Sequence, residues 1–448
     1  MHFRILFRSF LLAGLALLVA CVPGTRPQLT AGEWTLVYAG NLNGELEACG
    51  CTLEGNLGGI LRQTRMLDSW RAERPDTFFI NAGGLFNSRS PTDKITSRFI
   101  LSGVAAQSWD AVGLQWKDLD YGVDFLQTAQ VPWVASNAVN LPFERVRYLN
   151  RDGRKLAFFA WLNPAESPYS AMQGEGFPGA EMDGGFHEAL LKARGDGYLT
   201  VVSTTLTWDQ ANRMLPLDAI DVLLIRPDSE EYGEPVRQGR TWVLKPGTRG
   251  QRLARLTLTV NPDNSLAVAR HEVVTLPASV GEAERLKDWY QGYTDALMED
   301  YQRQVALLQG EGTTDSPWAG EQACAGCHQS AHEVWKASNH AGAFAKLEAV
   351  NKAFDANCIG CHTVGFGEPG GFIDPQTTPD RMNVQCESCH GPGRAHVESG
   401  GQVKLAEVLG EQGPVCLKCH TPEHSPSFDF NTYWPRIVHG LDAAPARP

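Results

Sequence analysis

The pattern Cys-x-x-Cys-His occurs four times in the last third of this 448-residue chain: Cys324, Cys327 and His328; Cys358, Cys361 and His362; Cys386, Cys389 and His390; Cys416, Cys419 and His420. With 11 cysteines and 12 histidines in all, a chance match has a probability of roughly one or two in 10⁵ per position, so four close together are not coincidence. The pattern is the attachment signature of c-type haem. Two sulfurs one short turn apart reach the two vinyl groups of a porphyrin, and the adjacent histidine is aimed at the iron. Zinc would accept paired Cys-x-x-Cys but has no use for a histidine after each second cysteine, and disulfides would leave the histidines unexplained. The expectation is four covalently attached haem c groups with His328, His362, His390 and His420 as proximal ligands.

Each iron wants a sixth ligand. The histidines left in this region are His332, His340, His396, His424 and His439, five for four irons. His332 lies one helical turn beyond one proximal ligand and His424 four residues after another, so neither swings easily to the far face of its own haem. Both are left to a neighbouring haem or to the surface. Four haems in so few residues leave little room for an ordinary apolar core, so the porphyrins are expected to be the core and the chain to fold poorly without them.

Residues 320 to 440 resemble the tetrahaem cytochromes c related to cytochrome c-554. The carrying stretches are "CAGCHQSAHEVWKASNHAGAF" with Trp335 and His340, "CESCHGPGRAH" with His396, and "FDFNTYWPRIVHG" with His439. The resemblance implies that His340, His396 and His439 are distal ligands, that the haems pack in stacked pairs, and that electrons pass between them. The Gly-Pro-Gly after His390 offers the turn such a reversal needs.

The chain begins with Arg4, Arg8 and the apolar run "FLLAGLALLVA" ending at Cys21, a secretory signal whose apolar part is short for a span. Leu18, Val19, Ala20 and Cys21 resemble a bacterial lipobox, which implies cleavage after residue 20 and lipid on Cys21. An uncleaved anchor or a secreted protein with a chance cysteine are the alternatives. Val22 follows the cysteine instead of an inner-membrane-retaining aspartate, so the expectation is an exported, outer-membrane lipoprotein facing the periplasm or the cell surface. That compartment is oxidising, which suits ligated or paired cysteines. Cys49 and Cys51 are open to a strained disulfide, a bond to another chain, or a metal. A net charge of −12 without a basic run argues against a nucleic-acid partner.

Between residues 33 and 275 short apolar runs alternate with helical stretches: "WTLVYAG", "TFFINAGG", "VPWVASNAV", "RKLAFFAWLN", "YLTVVSTTL", "IDVLLIRP", "TWVLKPG" and "ARLTLTV". Continuous apolar strands mean sheets covered on both faces, an α/β domain. Leu286, Tyr290, Tyr293, Leu297, Tyr301, Val305 and Leu308 form one stripe, predicting a long helix over 281–309. A polar linker, 310–320, then precedes a small, mainly α, haem-packed domain over 321–448. The α/β region resembles the calcineurin-like metallophosphatase and 5′-nucleotidase fold through "DAVGLQWKDLDYG" and "YAGNLNGELEACGC". Its metal ligands are missing. Asn41 and Asn43 stand for the first Asp and His, Gly84 for the next Asp, Trp116 and Lys117 for Asn and His, and Thr205 for a later His. His2, His187 and His271 fall on no motif. A dication that activates hydroxide needs several charged or basic ligands, so no phosphatase activity is expected.

Three functions follow: an electron-transfer lipoprotein working with redox protein partners, a reductase or oxidase of a small nitrogen or sulfur compound at one five-coordinate haem, or a protein whose degenerate cleft holds a nucleotide or sugar.

Overall fold

The computed structural model describes residues 27–49, 56–90, 92–172, 176–225, 233–311, 316–405, 413–421, 424–425 and 427–440. The segment 1–20, Cys21 and Cys51 lie outside them. Two six-stranded sheets dominate the first part. In chain order the strands are β1 (Glu33–Ala39), β2 (Phe78–Asn81), β3 (Ala111–Gly113), β4 (Trp133–Val134), β5 (Arg147–Arg151), β6 (Arg154–Trp161), β7 (Leu199–Thr204), β8 (Val222–Leu224), β9 (Val236–Gln238), β10 (Thr241–Leu244), β11 (Arg252–Val260) and β12 (Leu266–Thr275). One sheet runs β12-β11-β1-β2-β3-β4 and the other β9-β10-β8-β7-β6-β5. Each has a parallel centre and at least one antiparallel edge.

The period-two alternation of a strand explains the layering. Trp34, Leu36 and Tyr38 of β1 meet Phe158 and Ala160 of β6 and Val201 of β7 between the two sheets. Val37 and Ala39 point the other way, into helices α1 (Ile60–Glu73) and α2 (Asp93–Ala106). Phe159, Trp161 and Val202 cover the outer face of the second sheet with Phe186 and Leu190 of α3 (Phe186–Gly195). The result is helices, sheet, sheet, helices, which is why the central strands are apolar on both faces. Strands β3, β5, β9 and β12 escape the apolar-run reading because they are three residues long or interrupted by polar residues; β5, for instance, reads RYLNR along a partly exposed edge.

The long helix α4 spans Lys287–Glu311 and not 281–309. Gly281, at φ 75°, and a 3₁₀ turn over Glu284–Leu286 delay its start. Leu286, Tyr293 and Leu297 are buried against the α1 and α2 layer, each contributing roughly 1.5–3 kcal/mol by apolar burial. Farther along, the Tyr301 hydroxyl donates to Ile373 O at 3.2 Å and Gln309 to Asp374 at 3.0 Å. One helix thus packs its first half on the α/β domain and its second half on the C-terminal domain. The linker also differs from expectation. Ser316 and Trp318 are buried, and the Arg381 guanidinium donates to both Ser316 Oγ and Trp318 O.

The loop after β1 provides a second bridge. Glu47 accepts from the Tyr290 hydroxyl of α4 and from Lys352 Nζ of the C-terminal domain, the latter at 2.5 Å. Lys352 also lies 3.8 Å from Asp355 and over the Tyr293 ring. Replacing Glu47 with Gln leaves a part-buried ammonium without its closest carboxylate. The expected cost is about 1–3 kcal/mol. In thermal unfolding the haem-absorbance transition should then part from the far-ultraviolet one; coincident, unshifted curves would show that this bridge contributes nothing.

Candidate functional site: three imidazole pairs and a row of thiols

The C-terminal domain is built from short pieces. Its motifs sit on or beside one- or two-turn helices at Glu321–Ala325, Ala356–His362 and Cys386–His390 and a 3₁₀ turn at Cys416–Lys418. Local capping makes them possible. Asp355 accepts from Asn357 N at 3.1 Å to start the second motif's helix, and Gln385 forms a capping box with Ser388 at the third. The apolar core here is small, with Phe344, Leu347, Ile359 and Phe372 as its buried members.

Three motif histidines are each brought beside a histidine from another stretch of the chain. His328 and His396 have ring centres 6.1 Å apart. For His390 and His439 the separation is 6.0 Å, and for His340 and His420 it is 6.2 Å. An imidazole nitrogen stands about 1 Å from its ring centre and a metal–imidazole bond is about 2 Å. Two rings gripping one metal ion from opposite sides therefore have centres roughly 6 Å apart. The residues fit haem iron.

Hydrogen bonds set the tautomers. His396 Nδ1 lies 2.7 Å from Val403 O, His439 Nδ1 2.9 Å from Ile437 O, His362 Nδ1 2.7 Å from Ala343 O, and His420 Nδ1 3.0 Å from Ser425 Oγ. A proton held at Nδ1 by a carbonyl leaves the Nε2 lone pair for the metal. Burial lowers the pKa of His340 and His420, which favours the neutral, ligating ring. His332 is different, because its Nε2 is 2.5 Å from Glu321 Oε2. His424 follows the fourth motif, its backbone N–H donating to Thr421 O at 3.2 Å.

The first and third motifs are brought side by side, a relation that sequence reading did not foresee: Glu321 N, at the start of the first motif's helix, donates to Gln385 Oε1 at 2.9 Å. Trp335 Nε1 donates to Val384 O at 2.7 Å, and Ser338 Oγ accepts from His340 N at 3.2 Å, so the segment carrying His340 is tied beside the start of the third motif.

In the α/β domain the positions of the phosphatase-like loops are occupied differently. Lys117 donates to Asn43 Oδ1, Asn43 Nδ2 donates to Thr248 Oγ1 at 2.5 Å, and Gln115 Nε2 donates to Asn41 Oδ1 at 3.0 Å. Burial pushes the Lys117 pKa down, against the pull of Asp118 and Asp120. Asp118, fully buried, is spent on the backbone N–H groups of Gly84, Leu85 and Gln115. Gly84 has φ 72°, and a Cβ there would stand 2.6 Å from Gln115 Oε1 and 2.8 Å from Asn41 Cγ. Trp116 Nε1 donates to Asn163 O at 2.7 Å, Thr205 to Glu166 at 2.9 Å, and His271 Nε2 lies 2.9 Å from the Tyr38 hydroxyl. His187 is exposed. Of the Cys49–Cys51 pair, only the backbone of Cys49 is described, paired with Leu57.

These features define a c-type cytochrome domain, whose cofactor is covalently bound haem c, following an α/β domain of metallophosphatase-like fold. Residues 323–391 match the family described as cytochrome c554 and c-prime. Cytochrome c-554 of Nitrosomonas europaea is 39% identical over 95 residues, 18% of this chain and 40% of that protein. Cytochrome c-type protein NrfB of Escherichia coli O6:H1 is 35% identical over 94 residues, 19% of this chain and 46% of that protein. The chain therefore spans less than half the length of these relatives. The 5′-nucleotidase precursor of Thermus thermophilus superposes with a TM-score of 0.51 at 16% identity, over 71% of this chain and 68% of that one, a likeness of fold alone.

Restoring a carboxylate with Gly84→Asp forces a side chain into a left-handed position already filled by Gln115 and Asn41. It should destabilise the domain by about 1–3 kcal/mol in denaturant titration. Equilibrium dialysis against manganese should show no metal gained; tight uptake would mean that the cleft still accepts a dication.

Proposed function

We propose that this protein is a membrane-anchored tetrahaem cytochrome that relays electrons between redox protein partners in the periplasm or at the cell surface. The observation that carries the reading is the set of three imidazole pairs, each spaced for one iron and each joining different stretches of chain. Haem c supplies reversible one-electron chemistry when bound. The chain's part is to hold and order the groups. The eight motif cysteines attach four porphyrins. His328 with His396, His390 with His439, and His420 with His340 close three irons from both faces, leaving no room for substrate. The α/β domain and α4 serve as a platform, and lipid on Cys21 ties the whole to the membrane. No phosphatase chemistry is assigned to the amide-and-lysine cluster, where an ammonium opposes a dication.

A second reading rests on His362, which belongs to none of the three pairs. A haem on Cys358 and Cys361 with one open face would bind and reduce or oxidise a small nitrogen or sulfur compound. His424 is the competing occupant of that face.

Intact mass of protein extracted from membranes should show four haem additions plus diacylglyceryl modification at Cys21; fewer haems, or an unmodified amino terminus, removes the corresponding part of the proposal. Ferric electron paramagnetic resonance should show low-spin signals for three paired centres. His396→Ala should convert one of them to high spin without loss of covalent haem. A high-spin signal already present and altered by nitric oxide would favour the second reading.

A further inference from the structure

Glu387 stands inside the third motif, between Cys386 and Ser388, and is 2% exposed. Its Oε1 accepts from Ala319 N at 2.8 Å and Gly393 N at 2.6 Å, and its Oε2 accepts from Gly320 N at 2.9 Å. All three are acceptor contacts, the pattern of an ionised carboxylate. Ala319 and Gly320 lead directly into the Glu321–Ala325 helix that carries Cys324. One buried carboxylate therefore joins the third motif to the approach of the first. The other three motifs hold Ala-Gly, Ile-Gly and Leu-Lys between their cysteines, so no other motif carries an acid inside it.

We propose that Glu387 is a fixed negative charge shared by the haems of the first and third motifs, and that it lowers the reduction potentials of both. The inference rests on the haem-binding reading above. Reduction adds one electron, delivered by a protein partner, to a ferric centre and takes up no proton, so the centre's charge falls by one. A buried negative charge next to the attachment sulfurs opposes that gain, and low local dielectric keeps it unscreened. The surrounding charges are mixed. Arg381 and Arg394 both donate to Trp318 O, Asp380 pairs with Arg381, and Glu321 pairs with His332. None of them is altered when Glu387 alone is changed, so a substitution reads its charge by difference.

The test is spectroelectrochemical titration of the full-length holoprotein. His396→Met and His439→Met each displace one wave and so identify the haems of the first and third motifs. In Glu387→Gln, which keeps shape and one acceptor oxygen, these two waves should rise, each by roughly tenfold in the ferric-to-ferrous equilibrium, about 59 mV for one electron, while the other two stay in place. Glu387→Asp keeps the charge and should hold both waves within about threefold of the unmodified protein. Unmoved waves in a fully haem-loaded Glu387→Gln protein overturn the proposal. So does a tenfold displacement in Glu387→Asp, which would make shape and not charge the cause, and that variant decides the matter if Glu387→Gln fails to take up haem. An unmodified protein without haem c would instead sink the functional reading itself.

Discussion

The distance between facing imidazoles governs the C-terminal domain. Helices of five to eight residues do not stand alone in water, since a helical nucleus costs more than one turn returns. The main apolar cluster, Phe344, Leu347, Ile359 and Phe372, is small for a domain of this length. What organises the pieces is a set of ring pairs held about an iron's width apart, with Nδ1 protons tied to carbonyls such as Val403 O and Ala343 O. Each pair joins segments distant in sequence: His328 to His396, His340 to His420, His390 to His439. Cofactor binding and folding are one event in such a design. The left-handed turn at Gly400 and Gly401 has meaning only within it, because it carries Val403 O back to His396.

The α/β domain follows the opposite economy. Its two sheets and flanking helices bury a large apolar core, and the loops around Asn43 and Gly84 are closed by ordinary polar bonding. Lys117 is held among Asn43, Asp118 and Asp120, and Gly84 leaves room for the Gln115 amide. The loop after β1 is redirected outward, so that Glu47 meets Tyr290 and Lys352. Helix α4 completes the attachment between the domains through Tyr301 and Gln309.

Much of this was legible beforehand. The four Cys-x-x-Cys-His motifs, the apolar strands β1, β2, β6, β7 and β8 and the stripe of α4 all follow from local pattern, because spacing and periodicity are local. The edge strand β5 was not legible, since half of its residues face water. The burial of Ser316 and Trp318 was hidden as well, because a Pro- and Gly-containing polar stretch looks the same whether it is loose or strapped down by Arg381. Glu387 could have been noticed as the only acid between paired motif cysteines, but nothing nearby in sequence names Ala319 and Gly320 as its partners.

By itself the sequence determined which atoms can bond to haem, since a thioether-forming pair followed by histidine is a covalent and local specification. Only the tertiary structure decided which histidine meets which, that the first and third motifs lie side by side, and that Glu47 and Glu387 act as joints. Those relations depend on long-range hydrogen bonds and on burial, and residues so far apart along the chain leave no periodic trace of having met.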